Sequence, residues 1–152
     1  MMASGGETTD RTLWSRTEAA ERVGCHPESL RYYERIGLMP EPHRLADGRR
    51  VYDATALARL KFILDARALH FSLEDVGTLL RLAARESDHA GLSCDEANSL
   101  ARRHLADIRE QIAGLRAAEQ KLSHLVAQCE GHETDKTCPL LAALGSEAAP
   151  TP

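Results

Sequence analysis

The sequence predicts a mainly α-helical protein, on three observations. Its apolar content is dominated by Ala and Leu, two short helical patterns flank a tight turn near the N-terminus, and a long heptad stripe runs through the C-terminal half. Hydrophobic residues are 43% and aromatics 4% of the 152 residues, which favours helices over a sandwich rich in Val, Ile, Tyr and Phe. The expected order is a disordered segment (1–11), a winged helix-turn-helix domain (12–83), a connecting loop (84–97), a long antiparallel coiled-coil dimerisation helix (98–129), a loop with a short helix (130–145) and a disordered tail (146–152).

Between Leu13 and Gly37 two helical patterns meet at a turn. Ser15 with Glu18 has the spacing of a capping box, and Gly24 stands where the first helix should stop. Pro27 suits the first turn of the next helix, Glu28 suits the positive end of its dipole, and Gly37 closes it. Helix, Gly-containing turn, helix is the spacing of a helix-turn-helix. Pro40 and Pro42 then forbid a continuous helix, and Asp47-Gly48 signals a hairpin. This is the wing, with Arg49, Arg50 and Tyr52 on its return strand. Helices are expected from Ala54 to Leu69 and from Ser72 to Ala84, the second opened by Ser72 with Asp75. Glu86 to Ser93 is polar and reads as loop.

The stripe comprises Ala101, Leu105, Ile108, Ile112, Leu115, Leu122, Val126 and Cys129, in alternating steps of four and three with Glu119 as its polar interruption. A narrow apolar seam of this length cannot bury itself, so it calls for a second helix, with a second copy of the chain as the partner.

No apolar run approaches the roughly 20 residues that span a bilayer. Met1 to Asp10 is small, polar and acidic, unlike a signal peptide. A cytoplasmic location is expected, with thiols kept reduced. From Arg11 to His70 eleven Lys/Arg face eight Asp/Glu, although the chain's net charge is −4. A mildly basic N-terminal half joined to an acidic remainder suits a nucleic-acid reader attached to a module of another kind. No phosphate-binding Gly-rich loop, nucleophile elbow or HExxH motif is present, which argues against an enzyme.

Four cysteines in a reducing compartment are better read as ligands, reactive groups or buried fillers than as disulfides. Cys94 stands just before the long helix and Cys129 on its last turn, roughly 50 Å apart along one helix. They cannot share an ion within one chain. Two such helices paired antiparallel bring Cys94 of one chain beside Cys129 of the other, and Cys138 can fold back across the loop 131–137 to join them. Three thiolates suit a soft metal ion of low coordination number. Zinc prefers a fourth ligand, for which His132 is near and His89 more distant. Each cysteine alone is equally a small buried hydrophobe. A helix starting at Cys138-Pro139-Leu140 would stabilise the Cys138 thiolate. Cys25, in the turn of the helix-turn-helix, reads as structural filler.

For DNA, Arg31 and Tyr32 project from the second helix and Arg50 and Tyr52 from the wing. Arginine reaches base edges or phosphates, and the tyrosine hydroxyls with that of Ser29 hydrogen-bond phosphates. Tyr33 reads as partly core and Arg35 as solvated surface.

Leu30-Arg-Tyr-Tyr-Glu-Arg-Ile-Gly-Leu-Met-Pro40 followed by Arg50-Val-Tyr52 resembles the N-terminal signature of the MerR family, as does Leu69-His-Phe-Ser-Leu-Glu-Asp-Val76 leading into Leu79-Leu-Arg-Leu82. The resemblance covers residues 12 to 145. Cys94-Asp-Glu-Ala97, Leu105-Ala-Asp-Ile-Arg-Glu110 and Cys138-Pro-Leu-Leu141 are further similar to the mercury-responsive members. The resemblance implies that Cys94, Cys129 and Cys138 are mercury(II) thiolates. It implies a homodimer on an inverted repeat inside an over-long promoter spacer, where metal binding underwinds the DNA so that RNA polymerase engages. Two features keep lead(II) and cadmium(II) open as effectors. Cys25 falls where the lead- and cadmium-responsive relatives often carry a cysteine, and the segment before Cys94 is long for a mercury regulator. Two other classes also remain: a metal-sequestering protein without DNA specificity, and a thiol-redox sensor in which Cys129 and Cys138 form a disulfide.

Overall fold

The computed structural model describes residues 12–85, 90–131 and 137–145. The order is α1 (Arg16–Val23), α2 (Pro27–Arg35), β1 (His43–Arg44), β2 (Arg50–Val51), α3 (Ala54–Ala68), α4 (Leu73–Arg85), α5 (Ala90–Glu130) and α6 (Pro139–Gly145). Two compact units divide between Ala97 and Asn98, inside α5. The segments expected to be disordered, 1–11 and 146–152, lie outside the described residues, as do His89 and His132. Among the described residues no helix is long and apolar enough to cross a membrane.

The first unit forms as its caps direct. The Ser15 hydroxyl accepts the Glu18 N–H at 3.3 Å and the Glu18 carboxylate accepts the Ser15 N–H at 2.8 Å, the reciprocal capping box. Gly24 closes α1 at φ 78°, a left-handed conformation that costs a side-chain-bearing residue. His26 caps α2 through Nδ1, which accepts the Glu28 N–H at 3.2 Å, and Pro27 takes the first helical turn. In the wing, His43 lies opposite Val51 and Arg44 opposite Arg50, with Gly48 at φ 85° in the turn. Asp53 caps α3 on the Ala56 N–H at 2.9 Å. His70, at φ 65°, ends α3 in a position usually left to glycine. At α4 the Ser72 hydroxyl accepts the Asp75 N–H at 3.0 Å. Asp75 returns the contact to that hydroxyl at 2.8 Å rather than to the backbone.

α1 packs on α2 and α3, and α3 on α4. Their shared core is Ala19, Ala20, Leu30, Leu60, Ile63 and Val76, with Tyr33 and Tyr52 also buried. Replacing Ser15 by alanine removes one half of the capping box. It is expected to lower the unfolding free energy by about 1 kcal/mol. Urea denaturation measures this, and an unchanged midpoint would show that the cap contributes nothing.

The expected loop 84–97 is corrected. α4 continues through Arg85 and α5 is already helical at Ala90, so the long helix starts eight residues earlier than the sequence suggested. Gly91 and Ser93 read as loop formers. Glycine in a helix costs only about 1 kcal/mol relative to alanine, and a helix of 41 residues absorbs that once propagation is under way. Cys94 therefore lies in the second turn of α5 rather than ahead of it.

In the second unit most of the seam faces solvent. Leu115 is 71% and Leu122 53% exposed, and Leu105, Ile112 and Val126 are exposed beside them.

Candidate functional site

Two groups of side chains carry chemistry, one in each unit. In the first, α2 presents Arg31 and Tyr32 outward, with Ser29 half-buried. Arg31 is 3.9 Å from Glu28, an exposed pair one turn apart that constrains it little. Tyr32 is better held: its ring tilts against Tyr33 at 5.7 Å, and the Arg35 guanidinium lies over it at 5.4 Å. Arg35 is thus exposed, as the sequence suggested, and also braces Tyr32.

The wing adds three arginines. Asp47 accepts the Arg49 backbone N–H at 3.1 Å and its Nε at 2.6 Å, and these contacts hold the Asp47 carboxyl below the usual carboxylate range. Arg44 and Arg50 face each other across the strand pair. Two like charges in that relation are unfavourable unless an anion lies nearby, so the wing is suited to a phosphate backbone. Arg44 was missed from the sequence. Counting outward from a two-residue Asp47-Gly48 turn sets it opposite Val51; the turn instead spans three residues, 46–48, closed by the Leu45 N–H on the Arg49 carbonyl at 2.9 Å, and this register places Arg44 opposite Arg50.

Tyr52 requires a correction. It is 2% exposed, its phenol donates a hydrogen bond to Glu34 Oε1, and its backbone pairs with Trp14 through bonds of 2.8 and 2.9 Å. Burial pushes the phenol above its ordinary value, and the Glu34 carboxylate adds to this, so it remains a neutral donor. A ring so enclosed cannot also reach a phosphate. Its bridge to Trp14 and its bond to Glu34 hold it inward although the preceding Val51 is buried too, where the sequence alone showed only an aromatic hydroxyl after an arginine.

The second group lies at the junction of α5 and α6. Cys129 is on the last turn of α5 and Cys138 immediately precedes α6, both half-buried. Their thiols are hydrogen-bonded neighbours. The backbone N–H of Leu141, then that of Leu140 and the Cys129 thiol, hold the Cys138 thiol below its ordinary value against the opposing effect of burial. Cys94 is exposed in the second turn of α5. Thirty-five residues of that one helix separate Cys94 from Cys129, about 50 Å at the α-helical rise. Among the described residues, no three His, Cys, Asp or Glu side chains of a single chain come together as a metal-holding set. Cys25 is half-buried and its thiol is pushed up by desolvation.

These opposite shifts separate the thiols chemically. In the reduced, metal-free protein, iodoacetamide alkylation of Cys138 should rise with a pH midpoint below that of an ordinary thiol, and that of Cys25 with a midpoint above it. Peptide mass spectrometry across pH reads both, and a Cys138 midpoint at or above that of Cys25 would contradict the assignment.

Residues 15–83 match the family described as MerR HTH family regulatory protein, and residues 57–125 match MerR, DNA binding. The mercuric resistance operon regulatory protein of Serratia marcescens is 37% identical over 131 residues, covering 86% of this chain and 87% of the relative. That of Shigella flexneri is 39% identical over 129 residues, 85% of each chain. A lead(II)-bound transcription regulator from Ralstonia metallidurans superposes with TM-score 0.71 at 34% identity, covering 86% of this chain and 98% of the other. A mercury(II)-bound regulator from Bacillus megaterium gives 0.61 at 29% identity, covering 82% and 94%. The relatives are transcription regulators rather than enzymes. With its helix-turn-helix, its arginine-lined wing and this likeness over most of its length, the chain belongs to the MerR family of DNA-binding, metal-responsive transcription regulators.

Proposed function

We propose that this protein is a mercury(II)-responsive regulator that binds promoter DNA as a homodimer and activates mercury-resistance genes when the metal binds. The observation that carries the reading is the juxtaposition of Cys129 and Cys138 at one end of α5, with Cys94 near its other end. The exposed seam supports an antiparallel pair of α5 helices, which brings Cys94 of the partner subunit to the Cys129–Cys138 end. Each dimer then holds two symmetry-related sites, each drawing thiolates from both chains. Two adjacent soft thiols, one of them already shifted towards thiolate, fit a thiophilic ion of low coordination number. Ser29, Arg31, Tyr32 and Arg50 are the proposed DNA contacts, joined by Arg44. Metal capture biases a two-state dimer that distorts the promoter spacer so that RNA polymerase can engage.

A second reading has a specific support. The lead(II)-bound relative is 34% identical over nearly its whole length, so lead(II) or cadmium(II) is the alternative effector. A promoter-activation assay with mercury, lead, cadmium, zinc and copper separates them. Activation at the lowest concentration by mercury is expected. Activation by lead or cadmium with mercury silent would replace the first reading by the second.

A further inference from the structure

The DNA-facing elements of the first unit are joined by a polar strut that the DNA contacts themselves do not use. Glu34, in the last turn of α2 and with a side chain 12% exposed, accepts the Tyr52 phenol on Oε1. On Oε2 it accepts Arg16 Nη2 at 3.2 Å. Arg16 opens α1, and Tyr52 directly follows β2 of the wing. One carboxylate therefore ties the first helix, the second helix and the wing together. Tyr52 is held a second time by its backbone pairing with Trp14, two residues before Arg16.

Stability alone does not require this choice. Well-packed apolar residues of similar volume commonly replace a buried ionic group without loss, whereas a charged group must be desolvated before it can pair. Arg16 Nε is itself buried without a partner, so the network is not tuned to satisfy every donor. Hydrogen bonds supply direction, which apolar packing does not. Glu34 lies one helical turn after Arg31, and Tyr52 lies two residues after Arg50. A bond between them sets how far apart, and at what angle, the arginines of α2 and of the wing are presented. Wing contacts to phosphates fix the register and angle at which α2 meets the base edges, so this distance bears on affinity for a specific site more than on general attraction to a polyanion.

We propose that Glu34, with Arg16 and Tyr52, is a positioning device that sets the wing at a defined distance from α2 and thereby determines operator specificity. None of the three contacts DNA in this role.

The test uses the full-length protein and two variants, Tyr52→Phe, which keeps the ring and removes the hydroxyl, and Glu34→Gln, which removes the charge. The probes are a duplex selected by the parent protein from a randomised pool and an unrelated duplex of equal length. Both variants should stay folded, with affinity for the selected duplex down roughly 10-fold and affinity for the unrelated duplex unchanged. Backbone hydrogen exchange at the wing amides of Leu45 and Gly48 should quicken, while core amides of α3 stay protected. Because that readout requires no DNA, it still tests the strut if the parent shows no duplex preference, an outcome that would count against promoter binding instead. The proposal is overturned if both variants retain the parent's duplex preference and wing protection. It is equally overturned if both affinities fall together in step with the folded fraction, which would make the network merely structural.

Discussion

Replacing Cys129 by serine is expected to abolish mercury-dependent activation while leaving operator affinity within about twofold of the parent. Cys129 lies beside Cys138 at the end of α5, and the DNA-facing side chains belong to the other unit. Serine preserves size but offers a hard hydroxyl that stays protonated at neutral pH, a poor ligand for a soft ion. Loss of an outer-shell partner alone commonly weakens a metal site 10–100-fold, so removing a direct thiolate should reduce mercury affinity by about 100-fold or more. Competition against a thiol chelator gives the affinity, and a reporter fused to the promoter gives the activation. A full mercury response from the Cys129→Ser protein would place the metal elsewhere. If Cys138→Ser were silent while Cys94→Ser responded normally, the site would be confined to one chain, and the composite arrangement would be wrong.

Placing glutamates in the seam, as Leu115→Glu with Leu122→Glu, should convert the protein to a monomer at micromolar concentration. Both leucines are largely exposed in the isolated chain, so the substitutions should leave its internal packing intact. A dimer would bury the same positions, along with the introduced charges. An unpaired charge in a closed interface costs several kcal/mol per group, enough to raise the dimer dissociation constant by about a thousandfold or more. Losing the dimer also loses the simultaneous engagement of two half-sites, which lowers operator affinity by roughly a hundredfold or more. Sedimentation velocity reads the assembly and a gel-shift titration reads the DNA. Gln120→Glu, on the same helix but off the seam, is the control and should remain dimeric. A double variant that still sediments as a dimer would mean that the seam is not the dimer interface.

Both expectations descend from features legible along the chain. The capping box at Ser15 and Glu18, the stop at Gly24, Pro27 in the first turn of α2 and the Asp47-Gly48 hairpin are local, because each depends on residues within a few positions of one another. The seam was legible for a similar reason: its periodicity is a property of spacing alone. The family signature added what spacing does not carry, namely the role proposed for the cysteines and the promoter mechanism proposed with it.

What the sequence by itself determined is therefore the order and type of nearly every element and the identity of the thiols. Tertiary structure decided where side chains go once distant segments meet. Tyr52 looked like a phosphate donor until the strand end turned it inward towards Glu34, eighteen residues earlier in the chain. Arg44 carried no signal until hairpin register set it opposite Arg50. The start of α5 was misplaced because a local glycine penalty of about 1 kcal/mol is small against the cooperativity of a long helix. Cys138 became a neighbour of Cys129 only once the fold set the start of α6 beside the end of α5. For Tyr52, Arg44 and Cys138 the deciding contact joins residues whose separation no helical or strand period encodes, and burial or register, not composition, settles it.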